Sequence, residues 1–76
     1  MAKQMVRRGS RYRATISLGF IERLASNELI AKQFVDLGFE DVHVSGQGAT
    51  RIAEALWPLP DTEGEMPSQI ADFVEL

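Results

Sequence analysis

Thr50-Arg51-Ile52-Ala53-Glu54-Ala55-Leu56-Trp57 is the stretch whose reading decides the fold. Its alanines and the available cap at Thr50 suit a helix. It also alternates, with Arg51, Ala53, Ala55 and Trp57 against Ile52, Glu54 and Leu56, and Gly46-Gln47-Gly48 before it has the length of a hairpin turn. The strand reading is preferred, because the preceding strand would otherwise leave an edge uncovered in so small a protein.

Working back from the turn, Phe39-Glu40-Asp41-Val42-His43-Val44-Ser45 alternates too, with Val42 and Val44 on one face. Before it, Ile30, Phe34 and Leu37 recur at i, i+4, i+7, and Gly38 stands where a left-handed helix end is expected. The helix runs to Leu37 and starts near Phe20, continuing the spacing of Ile21, Leu24 and Ala25, or near Asn27. Earlier still, Tyr12, Ala14, Ile16 and Leu18 share one face of a strand, opposite Arg11, Arg13, Thr15 and Ser17. Residues 1–10 show no period and are read as a flexible basic leader.

Working forward, Pro58-Leu59-Pro60 ends the strand, and residues 61–66 form an acidic loop. Pro67 then opens a last segment with Ile70, Phe73 and Val74 at i, i+3, i+4, which predicts a short C-terminal helix. The predicted order is β-α-β-β-α over residues 11–76. It is an α+β fold, one domain with its helices packed on one face of a small antiparallel or mixed sheet.

Composition sets the outer limits. The chain has 76 residues, of which 45% are hydrophobic and 25% charged, as in ordinary globular proteins. A domain this small buries roughly 60% of its unfolded surface, so a partner or a second copy would add materially to its stability. The absence of cysteine excludes disulfides, thiol nucleophiles and thiolate metal sites. No apolar run approaches the ~20 residues that span a bilayer. A small soluble cytoplasmic protein of bacterial or phage type is expected.

Charge is unevenly placed. Lys3, Arg7, Arg8, Arg11 and Arg13 precede every acid, and the other three bases face eleven carboxylates from Glu22 onward. Such an arm suits phosphate contact, or else keeps a strand edge soluble and pairs with the acidic body. Arg11, Tyr12 and Arg13 interleave basic and aromatic groups as single-stranded nucleic acid binders do, although the alternation turns Tyr12 away from both arginines.

Other constellations read as structure. Asp41, His43 and Ser45 supply the residue types of a hydrolytic triad, yet successive same-face positions on a strand lie about 6.6 Å apart and leave no separate oxyanion hole. One histidine without cysteine makes a poor zinc set. Gly46-Gln47-Gly48 has Arg51 where a dinucleotide loop needs its third glycine. In the acidic loop, Met66 and Asp72 occupy the positions where a calcium loop needs glycine and a bidentate glutamate.

The succession strand, Gly-Phe, helix, Gly-Phe, strand, glycine turn and strand, carried by residues 16–20, 27–39 and 41–57, resembles the layout of SPOR-type peptidoglycan-binding domains over about half the chain. The resemblance implies a β-α-β-β core and glycan binding, and assigns no site residues. From the residues themselves, the expectation is a non-catalytic interaction module without cofactor or metal, acting on a protein partner or on itself. Trp57, Tyr12, Arg7, Arg8, Arg11 and Arg13 are the candidate interface. Nucleic-acid binding through the arm is the alternative.

Overall fold

The computed structural model describes residues 3–20, 22–65 and 67–76. Ile21, at the head of the predicted helical stripe, Met66, at the end of the acidic loop, and Met1 and Ala2 of the leader lie outside the described residues. Strands β1 (Lys3–Val6) and β2 (Arg11–Ser17) come first, then a 3-10 turn (Glu22–Leu24), helix α1 (Asn27–Leu37) and strands β3 (Glu40–Ser45), β4 (Thr50–Leu56), β5 (Thr62–Glu65) and β6 (Ile70–Glu75).

The expected α+β arrangement, with two helices packed on the sheet, is therefore corrected to a mostly β architecture. Among the described residues it has one α-helix and two sheets, a four-stranded one in the order β3-β4-β2-β6 and a two-stranded ribbon of β1 and β5. All pairings are antiparallel, so β2 and β3, which flank α1 in the chain, run parallel with β4 between them.

The largest correction is at the C-terminus, where a strand replaces the predicted helix. β6 pairs with β2 with Phe73 opposite Ala14, and a register shift puts Ile70 opposite Ile16 while Asp72 faces Thr15. One extra residue on β6 makes a bulge there. The bulge moves Ile70 and Phe73 onto the same face although they stand three apart, and that spacing imitates a helix. The other addition is β1, inside the segment read as a leader. It pairs residue by residue with β5, Lys3 opposite Glu65 and Val6 opposite Thr62.

Elsewhere local chemistry accounts for the elements. Thr50–Leu56 is a strand, its alternation burying Arg51, Ala53 and Ala55, with Trp57 buried just beyond. In β2 the same period buries Tyr12, Ala14 and Ile16. α1 starts at Asn27, because the Ser26 side chain accepts the Leu29 N–H as an N-cap. It ends at Gly38, whose φ of 116° is open to glycine.

Two buried clusters lie on the inner face of the sheet. The aromatic one joins Val6, Tyr12, Phe39, Ala55 and Trp57. The aliphatic one joins Ala14, Ile16, Ala53 and, from α1, Ile30. No helix among the described residues is long and apolar enough to cross a membrane.

Candidate functional site

α1 lies over β3 and, more lightly, β4. It leaves the inner face of β2 and β6 without a helix above it. Thr62–Glu65 form β5 and pair with β1 in a separate two-stranded sheet. What is left is a groove of about 370 Å³. Its floor is Ile16, Ile70 and Phe73; α1 supplies one wall through Leu29 and Leu37. Glu22 and Gln69 stand at its edge.

The groove is apolar in chemistry. Glu22 is its one titratable group among the described lining residues. That carboxylate accepts the Gly19 N–H at 2.8 Å and Gln69 Nε2 at 3.1 Å, and the Gly19 N–H, then Gln69, hold its pKa below the ordinary value. Its acceptor capacity is already directed into the wall of the groove. Among the described lining residues, the site offers apolar surface with one carboxylate, Glu22, at its edge.

The wall formed by residues 22–27 is held by a group that the sequence reading set in phase with Ala53, Ala55 and Trp57 without assigning it a task. Arg51 is buried, and its guanidinium donates to the carbonyls of Arg23 at 2.8 Å, Ala25 at 2.9 Å and Gly48 at 3.1 Å, and to Asn27 Oδ1 at 2.7 Å. Asn27 in turn donates through Nδ2 to Gly46 O at 3.1 Å. One cation thus ties the β3–β4 turn, the 3-10 turn and the first residue of α1 together. A lone arginine in phase with Ala53, Ala55 and Trp57 was the available signal, since a charge on a buried face has to find several acceptors.

None of the residues nominated from sequence lines the groove. Trp57 is 6% exposed, with its indole N–H donating to Pro60 O at 3.0 Å and its ring edge-on to Phe39 at 4.8 Å. Tyr12 is 3% exposed, stacked on Phe73 at 5.1 Å, and its hydroxyl accepts the Arg7 N–H at 2.6 Å. Arg7 reaches Glu75 at 2.6 Å and Arg11 reaches Asp41 at 2.8 Å. The Arg8 N–H donates to Asp61 Oδ1, and Arg13 is exposed on the outer face opposite Glu54. The structure therefore distributes these six between the core, two ion pairs, the β1–β2 turn and the outer face.

Asp41 and His43 do meet. Asp41 has φ 51° in a bulge of β3, a left-handed conformation that Asp tolerates better than most residues. The bulge turns its carboxylate to within 3.0 Å of His43 Nε2. Arg11 and then His43 hold Asp41 below the usual carboxylate range. The pair is solvent-exposed on the sheet's outer face, away from the groove, and Arg11 already occupies the second oxygen of the carboxylate.

No protein-family model, curated protein or solved structure matches this chain.

Proposed function

We propose that this chain is a non-catalytic interaction module of the cytoplasm whose binding surface is the groove between α1, β2 and β6. The observation that carries the reading is an apolar recess of about 370 Å³ whose one titratable group among the described residues, Glu22, is tied up by its own wall. Enzyme sites combine an apolar pocket with convergent polar groups of perturbed pKa, whereas helix-in-groove recognition needs mainly apolar floor and walls. The reading requires no metal or cofactor.

The nucleic-acid alternative draws less support from the geometry. Arg7 and Arg11 are engaged by Glu75 and Asp41, and Tyr12, the aromatic between the arginines, is buried. Both experiments that separate the readings are direct. Sedimentation at low and high salt, with and without a mixture of short oligonucleotides, is expected to show no nucleic-acid complex at either salt. A salt-sensitive complex overturns the reading and moves the site to the arm. Likewise, retention on insoluble peptidoglycan overturns it in favour of glycan binding.

A further inference from the structure

The groove and the helix beside it form a recess and a ridge on one face of one molecule. The ridge is α1, of whose residues Ile30 alone is fully buried, while Leu29 and Leu37 are 48% and 67% exposed on the side toward the recess. At the end of the recess, the loop that supplies Leu18, Glu22 and Ala25 also carries Phe20 and Leu24, 81% and 83% exposed. These four large side chains present on the order of 500 Å² of surface, in the upper part of the roughly 300–600 Å² that the largest patch on a monomer spans, a patch that is often functional. The groove floor adds to it. A standard interface buries about 800 Å² on each partner, and these four side chains alone supply more than half of it.

We propose that the occupant of the groove is a second copy of this chain. Two copies pair face to face about a two-fold axis, the α1 of each seated in the recess over β2 and β6 of the other. A ridge beside a recess of matching kind is the self-complementary surface that a two-fold interface requires. Each four-stranded sheet is then covered by two helices, its own over β3 and β4 and its partner's over β2 and β6. Charges of both signs stand at the edge of the face, Glu22 hydrogen-bonded within its own chain and Arg23 with its guanidinium 5.4 Å from the Phe20 ring centroid, so no single-sign field opposes the contact. This proposal rests on the interaction reading and names its partner.

Sedimentation velocity of the full chain from low to high micromolar concentration tests it. The expected result is a monomer–dimer equilibrium that Leu37→Glu weakens by about tenfold or more, with the far-UV spectrum unchanged because the side chain is exposed. Leu29→Ser provides a milder variant should the glutamate disturb α1. Val35→Glu, at an exposed position of α1 outside the groove, is expected to leave the equilibrium unchanged. A chain that stays monomeric throughout, or a dimer that Val35→Glu breaks as effectively as Leu37→Glu, overturns the proposal. In the monomeric case, titrating the isotope-labelled chain with a short leucine–lysine amphipathic helical peptide separates the two readings. Shifts at Ile16, Ile70 and Phe73 remove the second copy and keep the interaction groove, whereas no shift removes both.

Discussion

The two buried clusters share one sheet face and are closed in different ways. At the aromatic end the chain wraps over itself. Gly9 N–H donates to Trp57 O at 2.7 Å, Trp57 N–H to Ser10 O at 3.0 Å, and Leu76 N–H to Arg11 O at 2.8 Å, so main-chain bonds hold the lid on Tyr12, Phe39 and Trp57. At the aliphatic end, α1 inserts Ile30 from one side and leaves the groove open on the other. The contrast separates two uses of apolar surface within a small chain. Stability is concentrated where segments distant in sequence enclose large rings, and binding capacity is concentrated where the enclosure stops.

If that division is right, the largest loss on substitution belongs to the closed end. Trp57→Ala is expected to cost about 3–5 kcal/mol, removing the ring packed on Phe39 and the hydrogen bond to Pro60. Denaturant unfolding measures it, and a cost below about 1 kcal/mol would break the comparison by showing that the aromatic cluster is dispensable. Next comes the joint of the open end. Arg51→Met is expected to cost about 2–3 kcal/mol, since it leaves the carbonyls of Arg23 and Ala25 and the Asn27 amide without their donor. Amide exchange is expected to accelerate first in residues 22–30, and uniform acceleration throughout the chain would show that the joint has no local role.

A smaller effect follows at the β3–β4 turn beneath that joint. Gly46 has φ 99°, and a Cβ there would come within 2.9 Å of Thr50 O. Gly46→Ala is expected to cost about 1–3 kcal/mol by backbone strain. Gly48, with φ 71° and nothing near its Cβ position, is expected to cost less on the same change. Equal costs, read from denaturant midpoints, would mean that strain alone matters and the close approach does not.

How much of this was legible in the sequence divides along similar lines. β2, α1 and the β3–β4 hairpin are written in local period and punctuation: Tyr12, Ala14 and Ile16 at every second position, Ile30 and Phe34 one turn apart, Gly38 and Gly46 at left-handed ends. β1 and β5 have four residues each, one buried side chain between them at Val6, and exist through pairing with each other across the chain. β6 was disguised, since its bulge converts a period of two into an interval of three. The groove had no sequence signal of its own. Residues 62–65 pair with β1 rather than cross β2 and β6, which is a fact of topology.

The smallest effect concerns acid, and it bears on both ends at once. Glu75 lies at the aromatic end, where Arg7 and then the Ser10 hydroxyl hold its pKa below the ordinary value, and Glu22 lies at the open end, lowered by the Gly19 N–H and Gln69. A carboxyl whose pKa is lower folded than unfolded stabilises the fold above the unfolded value, about 4.3 for Glu. That contribution fades as pH falls through the folded value, because each proton taken up then releases a contact. The melting temperature is therefore expected to be level from about pH 7 to 5 and to decline below about pH 4. Both carboxylates are exposed and the decline is correspondingly shallow. Glu75→Gln and Glu22→Gln, made singly, are expected to flatten the acid limb by similar small amounts, since each loses one set of local contacts. If Glu75→Gln alone flattens it, the ion pair with Arg7 belongs to the closure of the aromatic end, and the groove edge at Glu22 is already loose at neutral pH.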